Sequence, residues 1–168
     1  MSISASASLG AIACLARGLS PFSGNCIVRN MEVKIDYLGA KQFEIRARDH
    51  VLISDQPAEN GGFDEGMTPP ELLLASLGAC AAYYAVEYLR INHLPVQGIR
   101  VRVNAQKASA PARLGSFEIE IEVPASLDAR YREGVSRAAK KCLIHNTLVA
   151  GTEIQTTVAP TAPASLAA

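Results

Sequence analysis

Residues 67–92 read MTPPELLLASLGACAAYYAVEYLRIN, and the fold turns on how this stretch is read. Proline is tolerated in the first turn of a helix, so Pro69 and Pro70 open one, with Thr68 as its cap and Glu71 three residues later completing a capping box. The spacing predicts a helix to about Asn92. Its sides are apolar nearly all round, with Leu72, Leu73, Leu74, Leu77, Val86 and Leu89 set among Ala75, Gly78, Ala79, Ala81 and Ala82. A helix without a polar face belongs in an interior. The uncharged run from Leu72 to Val86 is flanked by Glu71 and Glu87 and falls short of the roughly 20 residues that cross a bilayer. It reads as a central core helix.

Upstream of that helix, Val33, Ile35 and Tyr37 alternate with polar residues, Gly39 allows a turn, and Phe43 and Ile45 resume the alternation to about Arg48, which predicts a β-hairpin. Val51–Ser54 adds a short strand. Residues 56–68 hold Pro57, Asn60, Gly61, Gly62 and Gly66 and read as a loop, of a length that is often functional. Downstream, Ile99–Val103 and Phe117–Val123 form a second antiparallel pair across a loop with Pro111 and Gly115. Pro124 ends that pair, and Ser126 or Asp128 caps a further helix whose apolar face is Leu127, Tyr131, Val135, Ala138, Ala139 and Leu143. This helix is expected to deliver Cys142. Thr152–Val158 reads as a final strand and 159–168 as a loose, Pro- and Ala-rich tail. The order β-β-helix-β-β-helix-β defines an α+β fold of antiparallel strands over central helices.

The chain has 168 residues, enough for one core domain, placed at 31–158. Residues 1–30 are rich in Ser, Ala and Gly and carry Arg17 and Arg29 with no acid before Glu32. An upstream extension, a transit segment and a leftover of cloning all fit that composition, and the extension is favoured. Sixteen basic residues balance sixteen acidic ones, which gives no field to gather nucleic acid or an anionic membrane. The four cysteines, Cys14, Cys26, Cys80 and Cys142, are too few and too scattered for a stapled secreted scaffold. A reducing, cytoplasmic setting is expected.

Taken singly, the chemically interesting residues have ordinary readings. Buried cysteine in a helix of Ala and Leu is usually packing, and burial without a cation leaves a thiol inert. Cys142 lies beside Lys140 and Lys141 and before His145, a basic setting that favours a thiolate. Cys80, Cys142 and His145 with one further ligand would make a zinc site, although Cys142/His145 is a lone half-motif. Tyr83, Tyr84 and Tyr88 are suited to packing a core or a dimer seam, and Glu71 to capping the helix.

The two cysteine segments together carry more information. GMTPPELLLASLGAC (66–80) resembles the signature of the OsmC/Ohr family, in which a Pro-x-Glu-Leu helix start leads to a reactive cysteine. KKCLIHNTL (140–148) resembles that family's second cysteine motif, about 60 residues on and in the matching element order. The resemblance runs from Met31 to Val158. It implies an OsmC-like fold, a β-sheet wrapped around a central helix, and an intertwined homodimer with both cysteines of a site on one chain. It further implies a thiol-dependent peroxidase: Cys80 attacks a hydroperoxide, Cys142 resolves the sulfenic acid as a disulfide, and an external dithiol reduces it, with no metal or organic cofactor. Glu71 and an arginine, Arg48 or Arg46 with Arg48 preferred, are the implied activators of Cys80. The chain departs from the family's peroxidases in having Pro70 ten residues before Cys80 and Leu143 after Cys142. Glu71, nine residues before Cys80, lies about 900° round an ideal helix and so on its opposite side. The alternative is the same fold as a binding module for a small apolar or acyl ligand, with inert cysteines.

Overall fold

The computed structural model describes residues 31–160. The expectations for residues 1–30, and for the tail beyond 160, lie outside them. Three short strands come first: β1 (Lys34–Gly39), β2 (Gln42–Ala47) and β3 (His50–Ser54), paired antiparallel in the order β1-β2-β3. The β1–β2 turn uses Gly39 and Ala40, both at positive φ (135° and 45°), where glycine carries no steric penalty. The alternation anticipated for this hairpin is present: Ile35 faces Ile45 and Tyr37 faces Phe43, and on β3 Leu52 faces Ile45. These partners share one face of the sheet, because opposed residues point the same way. Among the described residues nothing covers that face, with Ile35 61% and Tyr37 66% exposed.

A loop with a 3-10 turn at Ala58–Asn60 leads into the long helix α1 (Pro69–Ile91). The start is as the sequence predicts, with Pro69 and Pro70 in the first turn. At the far end, the Asn92 side chain donates to the Tyr88 carbonyl (2.7 Å), His93 takes positive φ (56°), and the Leu94 N–H donates to the Leu89 carbonyl (2.9 Å). These bonds satisfy carbonyls that a helix terminus leaves open.

Strands β4 (Arg100–Ser109) and β5 (Ala112–Glu122) form a two-stranded sheet, longer than the sequence reading because the pairing continues almost to a tight turn at Ala110–Pro111. One face carries Val101 opposite Ile121 and Val103 opposite Ile119; the other carries Arg102 opposite Glu120 and Arg100 opposite Glu122. The apolar face lies on α1, where Gly78 permits the approach: a Cβ there would stand 2.9 Å from Val103 Cγ2.

The second predicted helix is in fact two. Helix α2 (Ala129–Ala139) ends at Lys140, Cys142 adopts an extended ψ of 133°, and α3 (Leu143–Ala150) starts afresh. Cys142 is thus presented at the head of α3, where the sequence reading placed it on α2. The core is formed by Ala85, Leu89, Leu127 and Val135, with Tyr88, Leu94, Ile99, Ile121 and Tyr131 packed around it. The strand expected at Thr152–Val158 is absent: the segment has no regular structure, and Ile154 (87%) and Val158 (95%) are exposed. A strand exists through its partner's hydrogen bonds, and nothing in the described chain pairs with this one.

Candidate active site

Helix α1 carries Cys80 in its middle, and the turn between α2 and α3 brings Cys142 alongside. The two sulfurs are joined as a disulfide across 62 residues, with Cα atoms 5.6 Å apart, within the span that a disulfide needs. Their surroundings differ. Cys142 is fully buried (0% exposed), whereas Cys80 keeps part of its surface open. The Cys142 sulfur also serves as the N-cap of α3, accepting the His145 backbone N–H at 3.4 Å.

Beside the pair, a cavity of about 530 Å³ opens between β5, α2 and α3. Its wall includes Leu77, one turn before Cys80, together with Phe117, Ile119, Val135 and Leu148. Arg132, Lys140 and His145 are its basic members, and among the described residues no carboxylate lines it. The Arg132 guanidinium is held by the Leu127 carbonyl at 2.7 Å. Neither the cavity nor Arg132 was singled out from sequence. The spacing of Arg132, Ser136 and Lys140, four residues apart on one helix face, is the signal that could have found them.

Glu71 and Arg48 are not beside the cysteines. Glu71 accepts the Thr68 N–H and the Thr68 hydroxyl, each at 2.7 Å, at the N-terminus of α1. Those bonds, the hydroxyl's first, with a smaller pull from Lys107, hold its carboxyl below the usual glutamate range. Nine residues of helix separate Glu71 from Cys80, about 13.5 Å of rise. Arg48 sits exposed in the β2–β3 turn at φ 56°, and Arg46 on β2 pairs with Glu44. Both belong to a sheet that packs chiefly on itself.

The two sulfurs are bonded to each other, and among the described residues no three His, Cys, Asp or Glu side chains converge.

A second cluster, unanticipated from sequence, shapes the loop before α1. Asp55 is buried (1% exposed) and accepts backbone N–H groups from Gln56 (2.7 Å), Phe63 (3.0 Å) and Glu65 (3.3 Å), while the Ser54 hydroxyl donates to the Met67 carbonyl (2.9 Å). Burial alone would raise the Asp55 carboxyl. The N–H donors of Gln56, Glu65 and Phe63, helped by the Gln42 side chain, outweigh it and hold the group below the usual aspartate range.

Two antiparallel sheets and a long helix that carries one cysteine of a disulfide define the chain as an α+β protein. The match to a family model is specific: residues 62–157, more than half of the chain, match the OsmC-like protein family, and the chain belongs to it. Solved structures share the fold. A candidate osmotic-stress-induced and detoxification-response protein from Psychrobacter arcticus has a TM-score of 0.64 at 22% identity, over 72% of this chain and 90% of that one. An OsmC-like protein from Mycoplasma pneumoniae gives 0.64 at 16% identity, over 73% and 89%. An organic hydroperoxide resistance protein from Legionella pneumophila gives 0.54 at 17% identity, over 72% and 90%. No curated protein matches the chain.

Proposed function

We propose that this protein is a thiol-dependent peroxidase that reduces organic hydroperoxides through Cys80 and Cys142 and serves in oxidative-stress defence in the cytoplasm. The observation that carries the reading is the pairing of these two cysteines beside an apolar cavity. Cys80, partly open, is the thiolate that attacks the distal peroxide oxygen; the alcohol leaves, and Cys80 becomes a sulfenic acid. Cys142 then displaces hydroxide, which departs as water, and the disulfide forms. An external dithiol restores both thiols, and the cycle calls for no metal or organic cofactor. A cavity walled by Leu77, Phe117 and Ile119 favours a hydroperoxide with an apolar body over hydrogen peroxide.

The proposal includes a homodimer. The face of β1–β3, the edges of β4 and β5, and the 152–158 segment, all without a partner among the described residues, are surfaces that a second chain would cover. Glu71 and Arg48 are proposed to orient and activate Cys80. Since Glu71 is committed to Thr68 and Arg48 lies in the outlying sheet, that role depends on the second subunit.

The test is consumption of cumene hydroperoxide with a dithiol reductant, by the wild type and by Cys80→Ser and Cys142→Ser. Turnover lost in the first and impaired in the second supports the proposal. No turnover by the wild-type protein would overturn it and leave the second reading, an apolar-ligand binder, for which the cavity volume is the supporting observation.

A further inference from the structure

The disulfide is lopsided, and its two sulfurs are unequal both as targets and as leaving groups. We infer that its reduction is directional: an external thiolate attacks Sγ of Cys80, and Cys142 departs as the thiolate. The inference rests on the redox-pair reading and assigns the course of its reductive half.

Two independent observations carry it. The first is access. Thiol–disulfide exchange requires the nucleophile to reach the attacked sulfur from the side away from the leaving one. Cys142 has no exposed surface, while Cys80 retains some. The second is the fate of the negative charge. The sulfur whose thiolate is better stabilised leaves faster. Cys142 heads α3, accepts the His145 N–H at 3.4 Å, and follows Lys140 and Lys141. A helix N-terminus and adjacent cations both favour a thiolate. Cys80 sits mid-way along α1, where backbone N–H groups are spent on the helix itself. Access and leaving ability therefore select the same direction.

The step balances with a dithiol as the co-reactant. A thiolate of the dithiol forms a bond to Cys80 Sγ as the Cys80–Cys142 bond breaks, and the electron pair goes to Cys142. The dithiol's second thiolate then attacks the mixed disulfide, closing its own disulfide and releasing Cys80 as thiolate. Two electrons pass from the dithiol to the protein, and the dithiol's two protons end on the two cysteines or in solvent. The His145 amide acts as a positioning group that holds the departing Cys142 sulfur.

The experiment uses the full chain, oxidised with diamide, exposed briefly to 2-mercaptoethanol, quenched in acid, alkylated and mapped by peptide mass. The expected result is the mercaptoethanol adduct on Cys80 and the alkyl label on Cys142, in at least a several-fold excess. Adduct on Cys142, or an even split, overturns the inference, as does failure of diamide to link the two. Peroxide takes no part, so a chain without peroxidase turnover still gives the adduct ratio. A second measurement isolates the amide: His145→Pro removes the N–H in a first turn, whereas His145→Ala keeps it. Reduction by a dithiol should be on the order of 3- to 10-fold slower in the proline variant than in the alanine one, as the leaving-group dependence of exchange dictates. Equal rates in a folded His145→Pro protein would remove the amide's role. If that variant fails to fold, the adduct map on the wild type still decides the direction.

Discussion

The hydroxyl of Tyr88 on α1 occupies the space into which any side chain at Gly134 on α2 would project, so the closest approach of these two helices is set by a missing Cβ. The Tyr88 Oη, Cζ and Cε1 atoms are its nearest neighbours. Replacing glycine by alanine within a helix ordinarily gains about 1 kcal/mol. Overpacking a fitted contact costs about 1–3 kcal/mol, and here the obstacle is a ring wedged in the core cluster. Gly134→Ala is expected to be destabilised and Gly134→Val more so, read by chemical denaturation. Adding Tyr88→Phe to Gly134→Ala should restore part of the loss, because the hydroxyl meets the new methyl first. Additive effects of the two changes would refute the contact.

Reducing the Cys80–Cys142 bond removes a cross-link over 62 residues. Chain-entropy arguments put the loss of stability at roughly 4 kcal/mol. Guanidinium unfolding of oxidised and reduced protein should show a lower midpoint on reduction, and Cys80→Ser should match the reduced wild type whether or not reductant is present.

Acid should loosen the loop before α1. The Asp55 carboxyl is held below its ordinary value in the folded protein, so its contribution is present above the unfolded pKa, near 3.9, and is lost as the pH falls through the lower folded value. Glu71 acts in the same direction at the helix start. Asp55→Asn is expected to lower stability at neutral pH and to flatten the acid limb of the profile. A profile as steep as the wild type's would show that Asp55 does not contribute to it.

The exposed face of β1–β3 yields a prediction about assembly. Ile35 and Tyr37 are the large residues of a stripe that continues through Phe43 and Leu52. Charges placed there, as in Ile35→Lys with Tyr37→Glu, should leave the cysteine pairing intact while moving the mass in light scattering from two chains to one. A monomeric wild type would count against the proposed dimer.

Most of this architecture was legible because local chemistry and tertiary need agree. Thr68, Pro69, Pro70 and Glu71 mark a helix start by rules that act over four residues, and the Ile35/Tyr37 alternation marks a strand by period alone. Three features resisted. The break at Cys142 was hidden because Leu143 falls on the same apolar register as Val135 and Ala139, so the periodicity runs through the turn. The 152–158 segment alternates like a strand, but a strand depends on a neighbouring edge that a linear pattern does not supply. Asp55 bonds to N–H groups up to ten residues away, brought round by glycines at 61, 62 and 66, of which Gly62 could not bear a Cβ without meeting the Gln56 carbonyl. As for the candidate site, the cysteine motifs pointed to the pair, whereas the cavity needed β5 and two helices placed together.

The separation of the paired cysteines also sets an order of events during synthesis. A ribosome adding about 5–20 residues per second takes roughly 3–12 s to pass from Cys80 to Cys142, whose separation is 62 residues. Throughout that interval the nascent chain already carries Cys14, Cys26 and Cys80, and the correct mate of Cys80 does not yet exist. A disulfide formed by Cys80 in that window can only be a mispaired one, so the native linkage has to wait until Cys142 has been added.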